Sequence, residues 1–447
     1  MAKILIISCN RVDSPYPVYP LGANIVASAV KEKGHEVKLF DIFYESYDKL
    51  KELIHDYKPN YIGLSLRNVD NVTYNEPSLF LNQYKNLVDN IKTISNAKII
   101  LGGSAYTIFP EQFLEQLNAD YGIKGPGEIS FPKLIESLEN GNPPKERIIK
   151  GEIDFSGNNS FYLYREKELA NFYLTKGGML NIFTKRGCPH RCLYCSYPDL
   201  EGKRYIYRSP KNVVDEIEYL IKEYSADFIF FTDSVFNDKN KNYLAIIDEI
   251  IKRKIKIFWT CYMRPDKFTK EEVEKLKNSG LHSVEWGTDC STDTTLKAMG
   301  KDFDWNTVKE SNNLFAEFEI PSSHFIIFGG PAETEKTVEE GIKNLSELKH
   351  CVIFGGIGIR IFPHTGIFEL AKKEGIIKCE EELFNKEIYY FSNQIKPEWL
   401  NDYLLESFKN KTNWFYPFTG FTERNYFLHN SGFRGPLWDL LLKKRRN

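Results

Sequence analysis

The segment from residue 185 to residue 195 reads Lys185-Arg186-Gly187-Cys188-Pro189-His190-Arg191-Cys192-Leu193-Tyr194-Cys195. Its three cysteines have the spacing C-x3-C-x2-C, so three thiolates can hold three irons of a cubane and leave the fourth iron open. Most electron-transfer cubanes have four cysteine ligands, one for each iron. An iron without a protein ligand can bind a substrate or cofactor. Gly187 and Pro189 favour the irregular loop that such a cluster requires.

The main alternative for these cysteines is a structural zinc site with His190 as its fourth ligand. Structural zinc sites usually combine ligand pairs from two separated parts of a sequence. No second cluster exists here, because the remaining cysteines are scattered at positions 9, 261, 290, 351 and 379. His190 also lies between the first two cysteines, too close for easy tetrahedral closure. We therefore favour an iron–sulfur cluster over zinc or unrelated thiols, and we expect the scattered cysteines to be free.

An alternation of strands and helices follows the cysteines and predicts a partial (β/α)6 barrel. Apolar runs predict six strands, at 180–184, 228–232, 255–260, 283–287, 324–328 and 358–362. Helical periods lie between them, near 210–223, 240–253, 270–279, 307–318, 337–348 and 367–374. Six such units are fewer than the eight of a closed barrel, in which chemistry takes place at the carboxyl ends of the strands. The cysteines directly follow the first strand.

The N-terminal part has its own alternation and predicts a doubly wound α/β domain. Strands are predicted at 4–8, 36–40, 61–66, 98–101 and 121–123, with helices near 21–33, 47–55, 79–94, 111–117 and 130–140. Parallel strands need crossover helices, so this order indicates a five-stranded parallel sheet. Such sheets bind ligands beyond the carboxyl ends of their strands. Gly102, Gly103, Gly125, Gly127 and Glu128 are predicted to lie there, where glycines either admit a ligand or only form turns.

We divide the chain into residues 1–141, a proline-containing linker at 142–177, the barrel at 178–380, and an aromatic-rich C-terminal region at 381–447. Lysine and arginine number 59 and aspartate and glutamate 61, so the overall charge gives no support for a nucleic-acid surface. The N-terminus does not resemble a secretory signal, and no stretch reaches the ~18 apolar residues of a membrane span. We therefore expect a cytoplasmic protein with no membrane span and no nucleic-acid partner.

The cysteine loop, with aromatic Tyr194 before its last cysteine, resembles the signature of the radical S-adenosylmethionine (SAM) superfamily, over residues 178–375 and a TIM-like partial barrel. The resemblance implies a [4Fe–4S] cluster on Cys188, Cys192 and Cys195. It also implies SAM on the open iron, reductive cleavage to a 5′-deoxyadenosyl radical, and an electron donor such as flavodoxin or ferredoxin. Matching strand-end motifs imply SAM contacts, although each alone is also typical of a turn or surface position: Tyr194, Thr232, Asp233, Ser234, Glu285, Asp289, Gly329, Gly330 and Arg360.

A five-stranded Rossmann-like domain directly before a radical SAM domain resembles the cobalamin-binding family. The segment Leu64-Ser65-Leu66-Arg67 followed by Gly102-Gly103 resembles that family's S-x-L…G-G pattern. With its polar neighbours it implies the following cobalamin contacts, an ordinary polar βα loop being the alternative: Ser65, Leu66, Arg67, Asn68, Asp70, Gly102, Gly103, Gly125, Gly127 and Glu128. The loop at 9–15 lacks the D-x-H-x-x-G histidine of base-off/His-on proteins. We therefore expect base-off cobalamin with no protein histidine on cobalt, and a domain that has lost cobalamin remains an alternative.

This domain order implies a methylase acting on an unactivated carbon, through a 5′-deoxyadenosyl radical and methylcobalamin. Three alternatives remain: a rearrangement, cyclisation or carbon–carbon coupling without methyl transfer; a methylthiotransferase; and a non-catalytic cluster or corrinoid carrier. The methylthiotransferase requires three more N-terminal cysteines, whereas this region has only Cys9. The substrate is expected to be a small molecule or a peptide. Trp414, Tyr416 and Phe418 are candidates for its pocket, although aromatic residues more often fill core.

Overall fold

The computed structural model describes residues 1–153, 164–417 and 422–442. The strands in these residues are β1 (Lys3–Ser8), β2 (Glu36–Asp41), β3 (Tyr61–Ser65), β4 (Lys98–Gly102), β5 (Tyr121–Lys124), β6 (Ile148–Lys150), β7 (Leu180–Ile182), β8 (Lys185–Arg186), β9 (Ile206–Tyr207), β10 (Phe228–Phe231), β11 (Phe258–Met263), β12 (Leu281–Asp289), β13 (Ser322–Phe328), β14 (Cys351–Ile357), β15 (Ile359–Arg360), β16 (Tyr389–Tyr390) and β17 (Trp414–Phe415).

The helices in the same residues are α1 (Leu21–Glu32), α2 (Tyr47–Tyr57), α3 (Leu81–Ile94), α4 (Ser104–Ile108), α5 (Pro110–Gln116), α6 (Ser130–Glu139), α7 (Lys167–Gly177), α8 (Tyr197–Glu201), α9 (Pro210–Tyr224), α10 (Tyr243–Lys252), α11 (Lys270–Asn278), α12 (Asp293–Ala298), α13 (Trp305–Glu317), α14 (Glu335–Leu345), α15 (Gly366–Lys373), α16 (Glu381–Asn385), α17 (Pro397–Phe408) and α18 (Thr422–Asn430), with a short 3-10 helix at Trp438–Leu442. None of these helices has the length and apolar character needed to cross a membrane.

The N-terminal sheet has the order β2-β1-β3-β4-β5-β6 with every pair parallel, which confirms the doubly wound α/β prediction. Alternate residues of β1 point to opposite faces: Ile4 and Ile6 pack with α1 and α6, whereas Leu5 and Ile7 pack with α2 and α3. The strand order reverses between β1 and β3. Ligands of open α/β sheets bind at such a switch point.

The sixth strand of this sheet, β6, comes from the segment predicted to be a linker. It pairs in parallel with β5 at the edge of the sheet. Three residues are too few for hydrophobic periodicity to reveal a strand, and the two prolines just before it indicated a loop. The sheet therefore has one more strand than the five predicted, while its class is unchanged.

The second domain contains an open parallel sheet in the order β17-β14-β13-β12-β11-β10-β7, which confirms the partial barrel. The predicted sixth strand at 358–362 was misplaced. The sixth parallel strand is β14, and the predicted segment contains only β15, which pairs antiparallel with β16. Gly355 and Gly356 within β14 weakened its strand signal, because glycine is depleted in strands.

The aromatic C-terminal region adds a seventh parallel strand to the barrel and so contributes to its core. β17 pairs with β14, and the Trp414 ring lies 5.0 Å from the Phe408 ring in an edge contact. Tyr416 donates a hydrogen bond to Asn401 at 2.8 Å. These contacts favour the core role for Trp414 and Tyr416, while Phe418 lies outside the described residues.

The two α/β domains are joined by buried polar contacts between distant parts of the chain. Arg360 Nε lies 2.8 Å from Asp70 Oδ2, and both side chains are almost fully buried. Tyr173 on α7 donates to the buried carboxylate of Asp41 at the end of β2. A third pair, described with the site below, connects the cysteine loop to the N-terminal sheet. The domain junction is therefore hydrogen-bonded and charged as well as apolar.

Candidate functional site

The cysteine loop leaves the barrel after β7 and is fixed by its own backbone. Gly187 has φ of +79°, and a Cβ there would collide with the carbonyl oxygen of Arg204. The Leu193 N–H donates to Met299 O at 2.9 Å, and Leu193 O accepts from Ile367 N at 2.8 Å. These bonds hold the loop between β7 and the opposite side of the barrel. Only glycine suits position 187, because its conformation is left-handed and the space is closed.

The three cysteines line one cavity of about 610 Å³, which we call the cluster cavity. Cys188 is buried, and Cys192 and Cys195 are half-buried. Burial raises the pKa of the Cys188 thiol, and it raises that of Cys195 to about 12. Thiols that are this hard to ionise in an apolar setting require a metal or another positive charge to become thiolates.

His190 lines the same cavity but is engaged elsewhere. Its Nε2 lies 3.2 Å from the Tyr205 hydroxyl, and burial lowers the pKa of its ring to about 4. Within the described parts of the chain, no three histidine, cysteine, aspartate or glutamate side chains are grouped for a single metal ion. A cubane accepts thiolates on separate irons, so it does not need its ligands to converge on one ion.

Tyr194 and Asp289, two of the predicted SAM contacts, meet in the wall of the cluster cavity. The Tyr194 hydroxyl donates to Asp289 Oδ2 at 2.5 Å, and Lys301 forms an ion pair with the same carboxylate. Lys301 also donates to Gly287 O at 3.3 Å. Burial alone would lower the pKa of Lys301, but Asp289 together with Cys192 and Cys290 raises it, and the net direction is upward. Sequence reasoning missed Lys301, since no motif surrounds it.

The predicted SAM-binding triplet at 232–234 mainly supports the cysteine loop. Asp233 is buried and accepts hydrogen bonds from Thr184 N at 2.6 Å and from the Thr184 hydroxyl. Ser234 donates to Gly187 O at 3.2 Å, and of the triplet it alone lines the cluster cavity. Thr232 donates to Ile182 O and lines a different cavity. Asp233 is thus held within the protein, whereas Ser234 faces the cavity.

The remaining predicted SAM contacts lie away from the cysteines. Gly329 has φ of +89° and donates to Glu333 at 3.1 Å, and neither it nor Gly330 lines the cluster cavity. Arg360 uses its guanidinium on Asp70 and on the carbonyl oxygens of Ile361, Ile388 and Leu383. Arg360 thus lies at the domain junction and does not line the cluster cavity, so the SAM contact predicted for it stays a prediction. Its strand is β15, which pairs antiparallel with β16 outside the parallel sheet.

A second cavity of about 570 Å³, the N-terminal cavity, opens at the carboxyl edge of the first sheet. Nine of the ten predicted cobalamin contacts line it: Ser65, Arg67, Asn68, Asp70, Gly102, Gly103, Gly125, Gly127 and Glu128. Leu66 is buried and contributes only its backbone, which accepts from Ala105 N at 3.0 Å. The cavity continues onto the barrel, where Tyr197, Leu200 and Glu201 line it. Arg186 in the cysteine loop is paired with Glu128 at 3.0 Å.

The wall of the N-terminal cavity suits a large ligand that carries amide groups. Asn68 Oδ1 is buried and has no hydrogen-bond partner within the described residues, so it is available to an amide donor. A Cβ on Gly102 would meet nothing within 4 Å, which leaves space above this residue. Gly103, at φ of +95°, would collide with Leu66 O, so it must remain glycine. These features fit the corrin amides of cobalamin.

A third cavity of about 370 Å³, the inner cavity, lies between the other two. Arg67 and Asn68 also line the N-terminal cavity, whereas Tyr262 also lines the cluster cavity. Tyr197 lines all three. Glu285, predicted to contact SAM, instead faces the inner cavity and accepts a hydrogen bond from Trp438 Nε1 at 3.1 Å. The three cavities therefore meet around one tyrosine.

Two family profiles match the chain in the order that the fold suggests. Residues 182–345 match the Radical SAM superfamily, and residues 7–135 match the B12 binding domain. Tryptophan 2-C-methyltransferase from Streptomyces laurentii is 23% identical over 447 residues, covering 81% of this chain and 73% of the relative. Anaerobic magnesium-protoporphyrin IX monomethyl ester cyclase from Cereibacter sphaeroides is 26% identical over 320 residues, covering 66% and 51%.

The solved structure of the radical SAM methyltransferase TsrM from Kitasatospora setae, with tryptophan substrate and a SAM analog bound, has the same fold. It aligns with a TM-score of 0.86 at 21% identity, covering 99% of this chain and 97% of TsrM. The cysteine loop, the two parallel sheets and the two profiles agree with one another. The chain therefore contains a radical SAM domain with a B12-binding domain in front of it.

Proposed function

We propose that this protein is a cobalamin-dependent radical SAM methyltransferase that methylates an unactivated carbon of a small molecule. The observation that carries the proposal is the meeting of three cavities at Tyr197. A methylation of this kind needs one carbon to approach both the group that removes hydrogen and the group that delivers methyl. The inner cavity adjoins both other cavities, so a substrate there reaches both. The tryptophan methyltransferase relatives support the same activity.

Cys188, Cys192 and Cys195 are proposed to hold a [4Fe–4S] cluster, because they line one cavity and form the complete set of thiols there. We propose that Ser234 and the Tyr194–Asp289–Lys301 group contact SAM, since they face the same cavity. When bound, the cluster and SAM supply the radical that removes a substrate hydrogen. The cavity wall orients SAM and limits access of water, which matters because a radical must react only with its substrate.

The N-terminal cavity is proposed to hold cobalamin, which supplies the methyl group when bound. Asn68 supports this assignment through its unpaired side-chain carbonyl oxygen, and Gly102 supports it through the open space above its Cα. We propose that the N-terminal domain, predicted at 1–141, extends to β6, and that the barrel, predicted at 178–380, also takes in β17. We propose that the C-terminal region predicted at 381–447 otherwise covers the substrate.

The cluster also requires a source of electrons and a reducing environment. We propose a small electron donor such as flavodoxin or ferredoxin, and a cytoplasmic location. The support is the state of the cysteines: all eight lie in the described residues and all are free. Disulfides are rare in the reducing cytoplasm.

The first test is anaerobic reconstitution with iron, sulfide and hydroxocobalamin, followed by reaction with SAM and a reductant. We expect four irons per chain, a bound corrinoid, and formation of 5′-deoxyadenosine. Absence of 5′-deoxyadenosine would favour a non-catalytic carrier and would contradict the proposal. A Cys351→Ala protein is the matched control, because Cys351 is buried in β14 and lines none of the three cavities.

The second candidate is a radical conversion without methyl transfer. It is supported by the cyclase relative, whose similarity covers 66% of this chain. Reaction with SAM that carries a deuterated methyl group separates the two functions. A product heavier by a labelled methyl group supports methylation. A product that contains no label, formed together with 5′-deoxyadenosine, would support cyclisation or rearrangement.

A further inference from the structure

The inner cavity has the size and the walls of a binding site for a small planar molecule. Its volume of about 370 Å³ lies near the lower end of small-molecule sites, which span ~300–1,000 Å³. Most of its large lining side chains are aromatic: Tyr16, Tyr197, Phe230, Tyr262, Phe325, Phe354 and Trp438. The rings of Phe230 and Tyr262 are 4.9 Å apart in an edge contact. Such walls favour an aromatic ring, which packs well against other rings.

One side chain gives this apolar cavity a negative pole. Glu285 is buried, and its described hydrogen-bond partner is Trp438 Nε1 at 3.1 Å. Burial raises the pKa of this carboxyl to about 7, because removal from water disfavours its charged form. Tyr16 and Tyr262 lie close enough that its charge also raises their pKa values. A ligand ammonium beside Glu285 would compensate the charge and form a short, charge-assisted hydrogen bond.

Other side chains give the same cavity a positive pole. Arg424 on α18 lines the cavity with a partly exposed side chain, and its partial burial lowers the pKa of the guanidinium. Arg67 is shared with the N-terminal cavity, so Arg424 is the arginine that belongs to the inner cavity. Guanidinium groups bind carboxylates through two parallel hydrogen bonds. Asn425, beside Arg424, donates to Pro15 O at 2.7 Å and anchors this segment over the cavity.

We propose that the inner cavity binds an aromatic amino acid as its zwitterion, with the ammonium at Glu285, the carboxylate at Arg424 and the ring between the aromatic walls. This inference rests on the proposed function in taking the inner cavity as the substrate site. Glu285 and Arg424 are then specificity-determining residues. A residue inside a peptide lacks both the free ammonium and the free carboxylate, and a terminal residue lacks one of them, so the two poles select the free amino acid.

The test measures binding by calorimetry on the reconstituted protein, with SAM present and without reductant. L-tryptophan, L-tyrosine and L-phenylalanine are titrated first. The tightest binder is then compared with its decarboxylated amine and its deaminated acid. Each missing charge is expected to weaken binding about 10-fold or more, because a charge-assisted hydrogen bond contributes ~1.5–3 kcal/mol.

Two variants separate the poles. Glu285→Gln keeps an acceptor for Trp438 but removes the negative charge. This variant should bind the amino acid and the amine about 10-fold more weakly, while its affinity for the deaminated acid should be unchanged. Arg424→Gln should weaken binding of the amino acid and of the deaminated acid but leave binding of the amine unchanged. Glu272→Gln is the matched control, because glutamine can still complete the capping box of α11 and this residue lies outside the inner cavity.

A misfolded variant would bind all three ligands more weakly. A loss of affinity for only two of the three ligands therefore reports on the charged pole that was removed. Equal loss for all ligands, or no loss in either variant, overturns the inference. Failure of all three amino acids to bind also overturns it, provided that the same preparation forms 5′-deoxyadenosine with SAM and reductant. Failure of SAM cleavage would instead contradict the proposed function, so the two failures are distinguishable.

Discussion

Replacing Asp70 by asparagine tests how strongly the two domains are joined. The Arg360–Asp70 ion pair has a separation of 2.8 Å, and its side chains are 1% and 0% exposed. Asparagine keeps the shape of aspartate but leaves the guanidinium without its counter-charge. The other donors of Arg360 already bind the carbonyl oxygens of Leu383 and Ile361. The arginine therefore cannot recover its lost partner by a small movement.

The expected loss is large because both charges are shielded from water. Removing one member of a buried pair costs ~3–5 kcal/mol, chiefly because the remaining charge stays buried and uncompensated. The exposed pair Lys133–Glu152 is a useful comparison, with a 2.7 Å separation and side chains 59% and 52% exposed. Glu152→Gln should cost at most ~1 kcal/mol, because water screens such pairs.

Equilibrium unfolding in urea, followed by circular dichroism and by tryptophan fluorescence, measures these differences. The double variant Asp70→Asn with Arg360→Met should be more stable than the sum of the two single losses predicts, because it removes the unpaired charge. A loss below ~1 kcal/mol in Asp70→Asn, or single losses that simply add in the double variant, would refute the reasoning.

Three further predictions concern the cysteine loop and a buried carboxyl. Cys192→Ala should abolish cluster-dependent visible absorbance and 5′-deoxyadenosine formation, whereas Cys351→Ala should retain both; an intact cluster in Cys192→Ala would contradict the ligand assignment. Gly187→Ala should reduce the iron retained after reconstitution, because the new Cβ would collide with Arg204 O. Gly202→Ala is the control and should retain more iron, because position 202 has a similar φ of +99° but free space around its Cβ. Burial raises the pKa of Glu333 from 4.5 to about 7, so the folded state binds this proton more tightly than the unfolded state. The free energy of unfolding should therefore fall by about 3 kcal/mol between pH 4.5 and 7 from this group alone, and it should level off above pH 7. In urea titrations, Glu333→Gln should lack that part of the pH dependence. Identical pH profiles for the variant and the unchanged protein would contradict the assignment.

Features encoded by neighbouring residues could be predicted from the sequence. The alternation of β-branched runs and helical periods indicated both parallel sheets, and the cysteine spacing indicated a cluster loop. The glycines at 102 and 103 followed a predicted strand, so their place at the edge of the sheet was also predictable. In each case the informative residues lie close together in the sequence, where hydrophobic periodicity and turn-forming residues determine local structure.

Features that depend on partners far along the chain could not be predicted. Glu285 lies in a motif that predicted a SAM contact. In the structure it lines the inner cavity and accepts a hydrogen bond from Trp438, which lies 153 residues later in the chain. Asp233 is held by Thr184 and Lys185, which precede the cysteines. Residue type alone does not decide whether a carboxylate faces a ligand or its own backbone. Lys301 was missed for the same reason, because its role depends on meeting Asp289.

The position of Tyr197 restricts where substitutions can alter substrate binding in relatives of this protein. A single phenol ring two residues after Cys195 borders three compartments, so altering its size would reshape all of them together. Adaptation to a new substrate is therefore easier at surfaces that belong to one compartment alone. Arg424, Pro436 and Trp438, all near the C-terminus, border only the innermost space. We expect related chains to diverge most in this terminal segment while their shared centre stays constant.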